Sequence, residues 1–147
     1  MDNMKLKLEN QICFKIYTAE RQITKLYREL LDELEVTYPQ YLVLLVLWEE
    51  ESMTVKALGE RLFLDSGTLT PMLKRMEANE IIVRRRSLED ERSVIISLTE
   101  KGTKLKEKAD CIPTQLIENL SMSKDELKIL NQTLNIILDR IQSKGQT

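Results

Sequence analysis

The amino-acid sequence predicts a mainly α-helical chain that carries one small β-hairpin. Along most of the 147 residues, apolar side chains recur every three or four positions, which is the period of an amphipathic helix. The exception is a stretch where two β-branched runs, IIVRRR and SVIISL, flank the polar segment SLEDER. Only four Gly and three Pro are present, so long loops are not expected. A chain of this length is most simply one domain, residues 1–147.

The N-terminal part of the chain predicts two helices. The first runs from about Leu8 to Leu34 on a near-heptad apolar stripe. Pro39 disfavours helical geometry at Tyr38 and suits the start of the second helix. Residues 40–48 are apolar almost all round, so this second helix is expected to lie in the core.

Two further helices are predicted to follow, separated by a short break. VKALGERL has helical spacing behind Thr54, which is the predicted N-cap. LDSG then interrupts the pattern, with Asp65 or Ser66 as the next cap and Gly67 as a permissive backbone position. Pro71 removes a backbone donor, so the following helix either starts late or is kinked. Helices joined so closely must cross steeply.

The hairpin comes directly behind these two helices, so residues of about 53–98 are predicted to form a winged helix-turn-helix. Met53 is expected to begin a short third strand that pairs with the hairpin. Next, Thr99 caps a helix through LKEKADCIPTQLIENL that bends at Pro113. Ser123 then starts a last helix, with a capping-box partner three residues on.

The first and last helices, about residues 8–34 and 99–142, carry more apolar surface than one small module can cover. This surface either packs within the chain or builds a homodimer.

Composition excludes several classes of function. The chain has no His and only two Cys, far apart, so no metal site, cofactor or His-assisted nucleophile is predicted. The N-terminus lacks the apolar core of a secretory signal, and YLVLLVLW is too short to cross a membrane. Cytoplasmic residence with reduced thiols is therefore expected. The net charge is −2, although residues 54–98 hold eight Lys and Arg against seven Asp and Glu.

The polar side chains of the winged helix-turn-helix are placed as contacts to double-stranded DNA would be. Such modules also bind proteins or serve only in packing. Here, however, hydroxyls near a helix start can meet phosphates or base edges, and an Arg at a hairpin tip suits the minor groove. The predicted contacts are Ser66, Thr68, Thr70, Lys74, Arg75, Arg84, Arg86 and Arg92.

Several segments carry a resemblance to a known family. LGERLFLDSGTLTPMLKRME and the following RxRSxEDERSVxISLTExG resemble the MarR family of bacterial repressors. NQICFxIY and VTYPQYLVLLVLWEE resemble its organic-hydroperoxide-sensing OhrR branch. The similarity extends from about Leu8 to the end of the chain. It implies a homodimer, a pseudo-palindromic operator, and Asp90 as the residue that braces Arg92 within the hairpin turn.

Cys13 is the candidate for chemistry. Next to Phe14 on an apolar helix, it is most simply a small core residue. Two features favour a reactive thiol instead. A helix start favours a thiolate, and phenols nearby can donate hydrogen bonds to it. The tyrosines in or next to this helix are Tyr17, Tyr27 and Tyr38.

The resemblance implies that Cys13 is a peroxide sensor whose thiolate accepts hydrogen bonds from Tyr27 and Tyr38 of the partner subunit. Oxidation by organic hydroperoxides gives a sulfenic acid, which condenses with a low-molecular-weight thiol. The protein then releases its operator and derepresses an organic hydroperoxide resistance gene. In some relatives a second Cys lies in the segment corresponding to residues 115–122, which has none here. A one-Cys subtype with Cys111 as a bystander is therefore implied.

Two alternatives stay open. A MarR-type repressor is also released by a phenolic ligand bound without covalent chemistry, and such release would not be reversed by a reductant. A one-Cys thiol peroxidase would consume hydroperoxide repeatedly, whereas a sensor, which is not an enzyme, reacts once per subunit.

Overall fold

The computed structural model describes residues 3–145, which form two compact units that divide between Ile112 and Pro113. The mainly helical class with a small antiparallel sheet is confirmed. The single domain over residues 1–147 stays a prediction. In the first unit, two short 3-10 segments, Asn3–Leu6 and Leu8–Asn10, precede the regular elements. These are α1 (Ile12–Leu31), a 3-10 turn (Asp32–Leu34), α2 (Tyr38–Glu50), β1 (Ser52–Thr54), α3 (Val55–Leu62), α4 (Ser66–Ala78), β2 (Ile82–Arg86), β3 (Val94–Leu98) and α5 (Glu100–Ala109).

The first helix is shorter than the predicted span from Leu8 to Leu34. Gln11 has extended backbone geometry, and its side-chain amide donates to the carbonyl oxygens of Lys5 (2.7 Å) and Lys7 (2.9 Å). These hydrogen bonds hold the preceding 3-10 turns apart from the helix, so α1 begins at Ile12. Cys13 is consequently the second residue of α1.

The start of α2 is set by Thr37, which forms a capping box with Gln40. The Thr37 hydroxyl accepts from Gln40 N–H (3.3 Å), and the Gln40 side chain accepts from Thr37 N–H (3.1 Å). Tyr38 is therefore the first helical residue, and the prediction that Pro39 keeps it outside the helix is wrong. The core location of α2 is confirmed, because Val43, Leu44 and other residues around its circumference are buried.

The helix-turn-helix has both predicted caps. The Thr54 hydroxyl accepts from Ala57 N–H (3.0 Å), and of the two predicted alternatives Asp65 caps α4, accepting from Thr68 N–H (2.7 Å). Because α4 begins at Ser66 and continues through Pro71, the late start is wrong.

The turn itself is made by Phe63, whose φ of 56° lies in the left-handed region, and not by Gly67, which is helical. The prediction for Gly67 is therefore wrong. The glycine that the turn requires is Gly59 in α3, because a Cβ there would lie 2.6 Å from the carbonyl oxygen of Leu64.

The sheet has the order β1-β3-β2, with antiparallel pairing throughout. Met53 pairs with Ile96, which confirms the predicted third strand, and Arg84 pairs with Ile96 from the other side. The hairpin β2–β3 is the wing. The core of this unit comes from all five helices and the sheet. Its fully buried side chains include Leu31, Leu44, Leu47, Leu58, Leu69, Leu73, Met76, Ile82 and Ile96.

The continuous helix predicted after Thr99 is interrupted. Thr99 caps α5 as predicted, but α5 ends at Ala109, and a further helix, α6 (Ile112–Leu120), begins after a two-residue break. Pro113 is the second residue of α6, where proline is well tolerated, so it starts a helix and does not bend one.

The second unit continues from α6 into α7 (Lys124–Lys144), and its capping box between Ser123 and Glu126 is confirmed. None of the helices within residues 3–145 is long and apolar enough to cross a membrane. Helices α1 and α7 each leave several apolar side chains exposed. These are Ile12, Phe14 and Ile16 on α1, and Ile129, Leu130, Leu134, Ile136, Ile137, Leu138 and Ile141 on α7.

Candidate nucleic-acid interface and thiol site

A cleft of about 1030 Å³ separates the helix-turn-helix from the wing. Both walls carry polar side chains that were predicted from the sequence to belong to the DNA-binding site. Ser66 and Thr70 come from α4, whereas Arg84, Asp90 and Arg92 come from the wing. The fold therefore brings together residues that are 26 positions apart in the sequence, such as Ser66 and Arg92.

Helix α4 has two distinct faces. Leu69, Leu73 and Met76 are fully buried, so the opposite face, which includes Ser66, Thr68, Lys74 and Arg75, is exposed. Asp65 caps the helix, and its hydrogen bonds from Thr68 lower the pKa of the Asp65 carboxyl. α4 thus presents hydroxyls at its start and two cations further along.

Asp90 organises the tip of the wing. Its carboxylate accepts from the backbone N–H of Arg92 (3.0 Å) and from the Ser93 hydroxyl (3.2 Å). The Ser87 hydroxyl in turn accepts from the backbone N–H groups of Glu89 and Asp90 (3.2 and 3.4 Å). Asp90 therefore holds the backbone of Arg92 within the hairpin turn. The Arg92 side chain remains exposed at the mouth of the cleft.

The arginines of β2 differ in their surroundings. The Arg86 guanidinium donates to the carbonyl oxygen of Glu91 (2.9 Å) and so belongs to the tip. Arg84 is half-buried in the cleft and, within residues 3–145, its Nε atom is buried without a hydrogen-bond acceptor. Arg85, between them, lines neither this cleft nor the smaller one at the tip.

Cys13 is exposed at the first turn of α1. The interpretation of Cys13 as a small core residue is therefore wrong within one chain. Its apolar neighbours are exposed as well, Ile12 at 70 % and Phe14 at 40 %. A thiol set in an exposed apolar surface is accessible to an apolar reagent.

Tyr27, Tyr38 and Tyr41 form a packed cluster of phenol rings. The ring centroids of Tyr27 and Tyr38 lie 4.4 Å apart, and Tyr41 lies 5.8 Å from Tyr27. The pKa of Tyr27 is raised to about 12, mainly by burial and to a smaller extent by the neighbouring phenols of Tyr38 and Tyr41. Burial likewise raises the pKa values of Tyr38 and Tyr41. All three phenols therefore remain protonated hydrogen-bond donors at neutral pH.

The structure does not bring Cys13 and the cluster together within one chain. Cys13 and Tyr27 are 14 residues apart on α1, which corresponds to about 21 Å along the helix axis. Tyr17 lies outside the cluster and is exposed, with the guanidinium of Arg21 5.2 Å from its ring centroid. Cys111 is exposed in the break between α5 and α6, where its thiol lies 4.0 Å from the carbonyl oxygen of Lys108.

Sequence reasoning missed two contributors to this region. Tyr41 follows Tyr38 by three residues, so helical spacing alone would have placed it on the same face of α2. The indole of Trp48 donates to the carbonyl oxygen of Gly102 (3.0 Å), a contact across 54 residues that the sequence does not signal.

An exposed α4 face and an arginine-bearing wing on either side of one cleft define the winged-helix class of DNA-binding modules. The comparisons with known proteins agree. The family profile described as "Transcriptional regulator SarA/Rot" matches residues 25–109. The chain is 56 % identical over 140 residues to the organic hydroperoxide resistance transcriptional regulator of Bacillus subtilis, and the match covers 95 % of both chains.

Solved structures give the same result. Reduced AbfR bound to DNA superposes with a TM-score of 0.78 at 37 % identity, covering 96 % of this chain and 99 % of AbfR. AbfR comes from Staphylococcus epidermidis and has also been solved overoxidised and disulfide-formed. A mutant MarR of E. coli in complex with operator DNA has a TM-score of 0.81 at 24 % identity, with 94 % and 99 % coverage, which supports the fold alone. The chain belongs to the MarR family of transcriptional regulators, in its organic hydroperoxide resistance branch.

Proposed function

We propose that this chain is a homodimeric transcriptional repressor that senses organic hydroperoxides through Cys13 and then releases a pseudo-palindromic DNA operator. The observation that carries the proposal is the exposed thiol at the start of α1, in a chain 56 % identical to an organic hydroperoxide resistance regulator. No enzymatic family is indicated. The protein is proposed to act in the cytoplasm, where thiols are kept reduced.

The two walls of the cleft support the proposed mode of DNA binding. The exposed face of α4 fits the major groove, with Ser66, Thr68 and Thr70 near base edges and Lys74 and Arg75 near phosphates. The wing then reaches the adjacent minor groove. There Arg92 meets the strongest negative potential, while Arg84 and Arg86 support the wing from the cleft and the tip.

The sensing side requires two subunits. The family is dimeric. Tyr27 lies about 21 Å along α1 from Cys13 of its own chain, so its phenol is too far away to donate to that thiol. We therefore propose that the phenols of Tyr27 and Tyr38 donate to Cys13 of the partner subunit. A thiolate beside two protonated phenols accepts their hydrogen bonds, which stabilise it without burying a second charge.

The chemistry is a two-electron oxidation of sulfur. The Cys13 thiolate attacks the distal peroxide oxygen, the O–O bond breaks, and the alkoxide leaves and takes up a proton to become an alcohol. The resulting sulfenic acid condenses with a low-molecular-weight thiol, which forms a mixed disulfide and releases water. The exposed apolar side chains of Ile12, Phe14 and Ile16 favour alkyl hydroperoxides over hydrogen peroxide.

A gel-shift titration tests the whole proposal. The reduced protein first selects a duplex from a random-sequence pool, and that duplex then serves as the probe. We expect cumene hydroperoxide with a small thiol to release the probe and dithiothreitol to restore binding. One hydroperoxide should be consumed per subunit. Release that dithiothreitol does not reverse, or continuous turnover of hydroperoxide with excess thiol, would contradict a redox-sensing repressor.

The Tyr27→Phe and Tyr38→Phe variants should bind the probe normally but respond slowly to hydroperoxide. Each variant removes one hydrogen-bond donor to the thiolate and keeps the ring that packs in the cluster. The measurement is the time-course profile of Cys13 alkylation by iodoacetamide, and we expect both variants to react more slowly than wild type. Tyr17→Phe is the matched control, because Tyr17 lies outside the cluster. Profiles identical to wild type for both cluster variants would eliminate the phenols as donors.

A further inference from the structure

The aromatic cluster continues along α2 toward the DNA-binding module. Tyr38, Tyr41 and Trp48 lie on one face of α2, and the ring centroids of Tyr41 and Trp48 are 6.3 Å apart. Tyr27 packs onto the near end of this row from α1. From Tyr38 to Trp48 the helix rises about 15 Å. Aromatic side chains therefore link the phenols of the sensing site to the far end of α2 without a break.

At that far end, Trp48 contacts the backbone at the start of α5. Its indole N–H donates to the carbonyl oxygen of Gly102 in the first turn of α5 (3.0 Å), and the Gly102 N–H donates to the capping hydroxyl of Thr99 (3.0 Å). Gly102 has no room for a side chain, because a Cβ would overlap the carbonyl oxygen of Ile81. A shift of Gly102 must therefore move its neighbours.

Those neighbours form the junction between α4 and the wing. The Thr99 hydroxyl lies 2.6 Å from the carbonyl oxygen of Glu80 and 2.9 Å from that of Ile81. The Thr99 N–H also donates to Ile81 (3.0 Å). Glu80 follows the end of α4 and Ile81 precedes β2. The contacts of Gly102 and Thr99 with the backbone at Glu80 and Ile81 thus fix the spacing between α4 and the wing, which line the DNA-binding cleft.

We propose that Trp48 is the positioning residue that couples the phenol cluster to the spacing of α4 and the wing, acting through Gly102. The inference rests on the proposed function. A half-buried tertiary hydrogen bond transmits a displacement of α2 directly to α5. By contrast, the ion pairs of Arg61 with Glu49 (2.9 Å) and Glu50 (3.6 Å) at this end of α2 are exposed, and such pairs contribute little. Trp48 also borders an open cleft of about 540 Å³, so its indole has room to move.

The test compares Trp48→Phe with wild type. The readout is the ratio of probe affinities before and after complete oxidation of Cys13 by cumene hydroperoxide with a small thiol. Phe keeps the aromatic row and loses the N–H. We expect affinity of the reduced protein and the rate of Cys13 oxidation to stay within about twofold of wild type. The ratio should fall by about three- to tenfold, the range expected from one hydrogen bond. Arg61→Gln, which removes the α3 cation that pairs with Glu49 at the same end of α2, should keep the wild-type ratio.

A ratio unchanged in Trp48→Phe would overturn the inference, as would an equal loss in Arg61→Gln. Equal weakening of both redox forms would show a purely structural role and would also overturn it. Wild-type protein that keeps its probe after oxidation contradicts the proposed function itself, which is a separate failure. Trp48 is the single Trp of the chain, so its fluorescence gives a second measurement should the variant not fold. Wild-type emission must change when Cys13 is oxidised, and constant emission would refute the coupling.

Discussion

The Cys13→Ser variant should bind the selected duplex as wild type does and keep it bound after cumene hydroperoxide. Serine is close to cysteine in size, and the side chain is exposed, so neither folding nor the DNA-binding cleft should change. A hydroxyl cannot be oxidised to a sulfenic acid, so the response to hydroperoxide should be lost completely. The measurement is a gel shift of reduced and treated protein, with the mass of the Cys13 peptide determined in parallel.

Cys111→Ser is the matched control, because it removes the other exposed thiol of the described residues. We expect it to release the duplex as wild type does when a small thiol is present. Oxidised wild type should run as a monomer on a non-reducing denaturing gel and carry the thiol on Cys13. A peroxide-dependent dimer band that Cys111→Ser eliminates would instead make this a two-Cys sensor. Release of the duplex by treated Cys13→Ser would remove Cys13 from the sensing role.

Local chemistry explains which parts of the fold the sequence predicts. N-caps depend on one side chain and a backbone N–H a few residues away, so Thr54, Asp65 and Ser123 are recognised from the sequence. The turn after α3 depends on tertiary packing instead. The α3 backbone at Gly59 packs closely against Leu64, and Phe63 between them adopts left-handed backbone geometry. Glycine is the residue usually found in that geometry, so the sequence does not indicate Phe63 there.

The candidate site likewise has some features that the sequence predicts and others that it does not. A hairpin fixes the positions of Asp90 and Arg92 relative to each other, so their placement on the wing follows from the sequence. The exposure of Cys13 within its own chain does not follow from the sequence. An apolar helical stripe has the same pattern whether the same chain or a second copy covers it, and only the structure shows that Cys13, Ile12 and Phe14 are exposed. The bond between Trp48 and Gly102 joins distant segments and leaves no local pattern.

The Arg92→Ala variant should lose roughly 1–3 kcal/mol of affinity for the selected duplex without any change in circular dichroism. The Arg92 side chain is exposed at the mouth of the cleft, so its removal leaves the fold intact. Asp90→Ala should weaken binding as well. It removes the acceptor for the Arg92 N–H and the Ser93 hydroxyl, and the wing tip then no longer holds Arg92 in place.

Arg85→Ala is the control that distinguishes the effect of the position of Arg92 from the effect of its charge. It removes the same charge from the same hairpin, but Arg85 lines neither cleft, so its loss should weaken binding by less than about threefold. Affinities are measured by fluorescence anisotropy at several salt concentrations, because a purely electrostatic contribution disappears at high salt. We expect the deficit of Arg92→Ala to persist at high salt, where the difference for Arg85→Ala vanishes. Equal deficits for the two variants at every salt concentration would mean that Arg92 contributes charge alone and is not a minor-groove contact.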